Sequence, residues 1–221
     1  MKLICGVFLL VCLQVLFTAC REEKYVYPDA VTEFADAHTD ATGTLTRLVN
    51  DRNEEMLIRA RSGLGGLTPD SVYRTLCVYT PVEEPQVDSL KEVNLFTLRS
   101  VIATLPVEAH RLVNGMKTDP LDIQSIWRGG DYINMILLPL VKDQPHAYYF
   151  VENGIVTHPD GRRTLHLALY HNRHGDPEAF TQKTYFSIPL RGYRGKLSEG
   201  DTIRLRLNTY KEGMTTRSFL Y

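Results

Sequence analysis

Cys20 has the most definite chemistry in the chain. It closes the stretch Leu16-Phe17-Thr18-Ala19-Cys20, where small residues precede the cysteine and leucine would be commoner than Phe17. A peptidase that cuts before a diacylglycerol-modified cysteine needs such small side chains. Met1-Lys2 is a short basic start, and Leu3 to Ala19 carries no charge. The alternative, an uncleaved membrane helix, needs roughly 17–25 apolar residues. Gln14 interrupts a run at that lower limit, and Arg21-Glu22-Glu23-Lys24 follows at once. Residues 1–19 are therefore read as a lipoprotein signal peptide and excluded from the fold. One acyl chain, at roughly 0.8 kcal/mol per buried methylene, holds a protein only marginally. A triacylated Cys20 would hold it permanently, so the lipid bilayer is the first expected partner.

Other residues have suggestive types but unsuitable spacing. His171-Asn172-Arg173-His174 with Asp176 offers metal-ligand side chains, and zinc needs three or four that converge. His166 and His171 have opposite parity on one strand and diverge, so His171 and His174 are expected as solvated turn histidines. Asp51-Arg52-Asn53-Glu54-Glu55 begins like a calcium loop, but Met56 and Ser62 stand where such a loop requires Gly and Glu. An ordinary hairpin turn is expected. Gly63-Leu64-Gly65-Gly66 runs into Thr68-Pro69, not into the Lys-Ser/Thr and helix of a phosphate loop. Cys77, in an apolar strand-like run, reads as a small buried hydrophobe. No metal, cofactor or catalytic residue is expected. Candidate ligand or partner contacts are Trp127, Arg128 and Tyr132, where aromatic and cationic groups adjoin, together with Arg204 and Arg206. Ile123, Ser125 and Trp127 share a face by parity, which makes Trp127 a core or domain-junction residue.

The elements that position these residues are strands. After the signal about 200 residues remain, enough for one large or two small domains. Five short strands are expected between Thr42 and Leu105, with breaks at Gly63–Ser71 and Pro81–Pro85. They suit a small barrel, whose closure removes exposed edges. Beyond a loop around Gly115, strands follow at Leu121–Trp127, Tyr132–Val141, Ala147–Val151, Thr164–His171, Thr184–Leu190 and Thr202–Tyr210, several with leucine at every second residue. Pro189 demotes its strand to an edge or bulge. Helices are few, and the best candidate is Pro28–His38, where Val31, Phe34 and Ala35 share a helical face; an irregular strand is its alternative. The fold expected is all-β: a tether at 20–28, an OB-type barrel at 29–114 and an antiparallel β-sandwich at 115–221.

Charge is uneven. Residues 20–158 carry 13 basic and 20 acidic side chains, whereas residues 159–221 carry 11 and 6. This polarity lets two domains attract each other or steers an anionic ligand to the C-terminal one, and an externally anchored protein argues against nucleic acid as a partner.

Tyr27-Pro28, Leu67-Thr68-Pro69-Asp70-Ser71-Val72-Tyr73-Arg74, Asp119-Pro120, Gln124-Ser125-Ile126-Trp127-Arg128 and Ser187-Ile188-Pro189-Leu190 occur in this order. In them the chain resembles the NigD-like lipoproteins of Bacteroidetes. The resemblance implies a barrel followed by a sandwich and, from the bacteriocin locus behind the family name, an immunity role. It carries no catalytic residues across. Arg21-Glu22-Glu23 likewise resembles the short export signal of surface lipoproteins in that group. The function expected is a non-enzymatic, membrane-anchored binding or protective protein recognising a protein or glycan. It is expected on the outside of the outer membrane, with a periplasm-facing orientation as the alternative. A cell-surface glycan hydrolase or accessory enzyme is the rival, and it would need paired carboxylates roughly 5–10 Å apart.

Overall fold

In a computed structural model, residues 29–83 and 91–221 are described, so Cys20 and the tether lie outside the described residues. The first five strands are β1 (Val31–Thr39), β2 (Leu45–Asn50), β3 (Glu55–Ile58), β4 (Val72–Pro81) and β5 (Lys91–Ser100). They close into a barrel in the order β1-β2-β3-β5-β4, with β3 and β5 parallel, which is the OB-type arrangement. Ala35, Ala37, Leu48, Met56, Cys77 and Val93 fill its interior. Burial raises the Cys77 thiol to about 12, with Glu33 adding to the effect, and leaves it inert at neutral pH.

The helix candidate at the start is a strand, β1, hydrogen-bonded to β2 on one edge and β4 on the other. Phe34 and Ala35 are both buried because the two faces of β1 meet different cores. Ala35 and Ala37 point into the barrel, while Phe34 packs outward against Trp127 and Tyr185. Two-sided burial erased the period-2 signal and left an i, i+3, i+4 pattern that imitates a helix.

Ten further strands follow: β6 (Val107–Glu108), β7 (Asp122–Gly129), β8 (Tyr132–Leu138), β9 (Leu140–Val141), β10 (Ala147–Thr157), β11 (Arg163–Asn172), β12 (Phe180–Thr181), β13 (Thr184–Pro189), β14 (Thr202–Thr209) and β15 (Gly213–Leu220). A five-stranded sheet, β15-β14-β11-β10-β6, faces a three-stranded sheet, β13-β8-β7. Pairing is antiparallel except for β6 on β10 and β14 on β11. The chain thus enters the sandwich at Val107, ahead of Gly115. Leucines of β11 and β14 meet Ile133, Met135, Phe186 and Ile188 in the core between the sheets. Pro189 ends β13, an edge strand, where its missing N–H costs no ladder bond.

A bulge in β7 between Ile123 and Ser125 changes the parity expected there. Ile123 and Ile126 pack on the sandwich core, while Trp127 faces Phe34 of the barrel, ring centroids 5.3 Å apart and edge to face. Trp127 is therefore a junction residue, but it does not share a face with Ile123. β8 is buried on both sides, which explains why it is apolar at every position but Asn134.

Candidate functional site

The strongest polar constellation lies where the barrel meets the three-stranded sheet, and Arg74 is its centre. Asp36 of β1 is directly paired with Arg74 of β4 on the outer barrel face, and the β2–β3 turn adds Asp51. From the sandwich come Tyr132 and Asn134 of β8 and Ser187 of β13. Arg74 Nε donates to Ser187 Oγ at 3.1 Å, Nη1 to Asp36 Oδ1 at 3.2 Å, and Nη2 to Asp51 Oδ1 at 2.6 Å and Asn134 Oδ1 at 2.9 Å. Tyr132 donates its hydroxyl proton to Asp36 at 3.0 Å, Asn134 Nδ2 donates to Asp51 Oδ2 at 2.6 Å, and Ser187 donates to Asn134 Oδ1 at 2.7 Å. The guanidinium also lies 3.9 Å from the centre of the Tyr132 ring, within cation–π range.

Burial raises the Asp51 carboxyl above its ordinary range, although Arg74 and Asn134 pull against it. Burial, reinforced by Asp36, raises the Tyr132 hydroxyl to about 12. Tyr132 is thus a fixed donor at physiological pH and not an acid–base group. The hydrogen-bonding groups of this cluster are turned on one another, which is the architecture of a lock between two folded parts.

Gly129 and Gly130 let the sandwich close over Asp51. A Cβ on Gly129 would lie 2.6 Å from Asp51 Oδ2; one on Gly130, whose φ is +52°, would lie 2.9 Å from the Asp51 carbonyl oxygen. Gly130→Ala combines a left-handed backbone with that clash, and it is expected to cost about 2–4 kcal/mol. Equilibrium urea unfolding of the variant checks this; a loss below about 0.5 kcal/mol would show that the junction yields freely.

Two clefts flank the lock. One, with a volume of ≈ 430 Å³, is lined by Phe34, Trp127 and Tyr185 with Glu33, Arg52 and Lys183. The other, ≈ 440 Å³, is lined by Asp36, His38, Tyr132, Asp131, Arg191 and Arg194, with Arg194 paired to Asp131.

A second buried polar chain corrects the expectation for His171. It is 2 % exposed and belongs to β11, so it is a core residue and not a solvated turn histidine. Its Nδ1 lies 2.8 Å from the Asp119 carbonyl oxygen and its Nε2 2.9 Å from His146 Nδ1. A carbonyl only accepts, so His171 Nδ1 carries the proton and Nε2 accepts from His146. His146 Nε2 faces Asp176 Oδ2 at 3.2 Å. Burial works to raise the Asp176 carboxyl, but the amides of Asp143, Lys142 and Gln144, together with His146, outweigh it and hold the group far below its usual range. A continuous buried chain thus runs from the Asp119 carbonyl through His171 and His146 to the ionised Asp176. Tyr148 stacks on His171, centroids 4.8 Å apart. His174 does lie in the exposed turn, donating its amide to Asn172 Oδ1. Among the described residues no three His, Cys, Asp or Glu groups are placed to hold a metal ion.

The candidate contacts scatter. Tyr132 belongs to the lock and Trp127 to the cleft beside it. Arg128, on the opposite face of β7 from Trp127, has its Nε buried without a hydrogen-bond partner. Arg204 and Arg206 stand exposed on β14, in the other sheet. Arg74, Asp36, Asn134, Ser187 and His146 were not among the site candidates read from the sequence, and Asp51 was weighed there only as part of a calcium-like loop and read as a hairpin turn. The available signal was a lone polar residue within an apolar strand, as at Arg74 in Val72–Tyr79 and Asn134 in Tyr132–Leu138.

No curated protein matches the chain. Three solved structures that resemble it come from Bacteroides species. A NigD-like immunity protein from Bacteroides caccae is 26% identical with a TM-score of 0.71, over 89% of this chain and 99% of that one. A protein of unknown function from Bacteroides vulgatus is 18% identical, TM-score 0.66, over 86% and 91%. A protein described as a lipoprotein from Bacteroides fragilis is 13% identical, TM-score 0.60, over 88% and 97%. The last two show likeness of fold alone. The model of the NigD-like C-terminal β-sandwich domain matches residues 104–221, more than half of the chain, and this chain belongs to the NigD-like family.

Proposed function

We propose that this chain is a membrane-anchored, non-enzymatic binding or protective protein. In this reading acylated Cys20 holds it on the outer membrane, facing outward, and the locked barrel and sandwich present loops and a sheet face to a protein or glycan. The use made of the Arg74 cluster carries the reading. A hydrolytic site keeps a base, nucleophile or acid directed at substrate, whereas here Asp36, Asp51, Asn134, Ser187 and Tyr132 bind Arg74 or one another. The result is a fixed relative orientation of two β units, which serves recognition. The name of the Bacteroides caccae relative, an immunity protein, supports a protective version. The description of the Bacteroides fragilis neighbour as a lipoprotein agrees with the Cys20 reading. No helix among the described residues is long and apolar enough to cross a membrane.

Cys20→Ser is expected to abolish incorporation of labelled fatty acid and move the protein from membrane to soluble fractions, without changing its melting temperature. If the variant stays in the membrane pellet, folded and unaggregated, the N-terminus is an uncleaved anchor and the surface assignment falls with it. Protease digestion of intact cells tests the orientation. The immunity version requires that deletion sensitise cells to a bacteriocin. Unchanged sensitivity across a bacteriocin panel would remove it.

A further inference from the structure

On β11, His166, Ala168 and Tyr170 alternate with the core leucines Leu165, Leu167 and Leu169 and so share the outer face of the five-stranded sheet. The register extends that face sideways. Tyr149 of β10 lies opposite Tyr170, Arg206 of β14 opposite Ala168, and Arg204 opposite His166. Across the next pairing, Thr216 and Ser218 of β15 lie opposite Arg206 and Arg204. In the paired positions of β10, β11, β14 and β15 this face holds no Asp or Glu. Three other arginines on or beside this sheet are paired: Arg163 with Asp201, Arg173 with Glu178, Arg217 with Glu212. Arg204 and Arg206, both exposed, have no ion-pair or hydrogen-bond partner among the described residues.

Next to this cationic stripe, on the same side of the sheet, is a cleft of ≈ 560 Å³ lined by Tyr149, Tyr170, Arg111, Asn172 and His174, again without a carboxylate. Tyr149 is 46 % exposed, with its ring 5.3 Å from that of Tyr170.

We propose that this face binds an anionic oligosaccharide, running from the Tyr149–Tyr170 cleft to Arg204 and Arg206. The inference rests on the reading of the chain as a binding protein and names the chemistry of its partner. A sugar has an apolar face that packs on an aromatic ring and hydroxyls that pair with amides and phenols, matching the exposed Tyr149, which the largely buried Tyr170 backs, and Asn172. Carboxylate, sulfate and phosphate substituents match the guanidinium fork. From strand spacing and rise, Tyr149 and Arg206 are about 12 Å apart, the span of a short oligosaccharide. Thr216 and Ser218 beside the arginines are hydroxyl groups, and the exposed apolar residues of β15 on this face, Met214 and Leu220, stand at the two ends of the strand and not beside the guanidinium groups.

The test is calorimetric titration of the full-length protein, in neutral detergent, with three oligosaccharides of equal length bearing uronate, sulfate or phosphate groups, and with a neutral cello-oligosaccharide. At least one anionic probe is expected to bind about tenfold or more tightly than the neutral one, and to weaken as salt is added. Arg204→Ala/Arg206→Ala should reduce that binding about tenfold with the melting temperature unchanged, and Tyr149→Ala should reduce it several-fold. The inference fails if none of the three anionic probes binds, or if the double arginine variant binds them like the parent. If no saccharide binds but a protein from surface extracts does so through Arg204 and Arg206, the glycan is excluded and the binding-protein reading stands. If neither engages, that reading fails as well.

Discussion

Arg74→Met is expected to destabilise the protein by about 3–5 kcal/mol, the range for removing one member of a buried ion pair and leaving the other charged. The Arg74 side chain is 3 % exposed and pairs with both Asp36 and Asp51. Methionine keeps most of the apolar volume, so what disappears is neutralisation and four hydrogen bonds. The pH dependence follows from Asp51, which burial already raises. A carboxyl raised in the folded state contributes stability fully present below its unfolded value and lost as pH rises through the folded one. Without Arg74 the folded value rises further. The deficit relative to the parent should therefore be smaller at pH 4 than at pH 7. Trp127 is the single tryptophan and packs against Phe34 across the junction, so its emission reports opening of the lock during urea unfolding. A loss below about 1 kcal/mol at pH 7, with unshifted emission, would mean that the cluster is not what joins the two β units.

His171→Leu is expected to cost about 2–3 kcal/mol, because the Asp119 carbonyl and the His146 N–H each lose a partner in a dry site. His171→Gln can accept through its amide oxygen and donate through its nitrogen, and it should cost roughly half as much. Burial, aided by His146 and Arg173 against the Asp119 carbonyl, lowers the His171 pKa below 6.5. Between the folded value and 6.5 the unfolded chain binds more protons. This contribution is therefore fully present above 6.5 and is lost as pH falls through that value toward the folded one. His38, lowered by burial and by Arg47, adds to the same step. Asp176, held below 3.8, contributes stability present above that value and lost as pH falls through the folded one. Melting temperatures should thus fall in two stages with decreasing pH, the first beginning near 6.5 and the second near 3.8 and continuing well below it. His171→Gln should shrink the first stage and leave the second. An unchanged profile in that variant would show that His171 is not held neutral.

Periodicity along a single strand was legible without coordinates. The alternating leucines at Thr164–His171 and Thr202–Tyr210, the break at Gly63–Ser71 and the edge character conferred by Pro189 all follow from local geometry, since a half-buried strand repeats every two residues. Where a strand is buried on both faces the code is lost, as in β1. Where an extra residue enters, as in the β7 bulge, parity reverses and the expected face is wrong. β15 gave no pattern of its own, because one face and one edge are exposed and its apolar residues are few.

By itself, then, the sequence determined the repeat of its strands, the division into a small barrel and a sandwich, and the small buried character of Cys77. These depend on neighbours a few residues away. The Cys20 reading also comes from local sequence and lies outside the described residues. The tertiary structure alone decided that Arg74 meets Ser187, 113 residues away, that Tyr132 meets Asp36, 96 residues away, and that His146 reaches His171. It also decided that Tyr149 and Tyr170 share a carboxylate-free face with Arg204 and Arg206. The reason is physical: such neighbours are set by which strands pair and in what register, and a shift of one residue would turn each of these side chains to the opposite face.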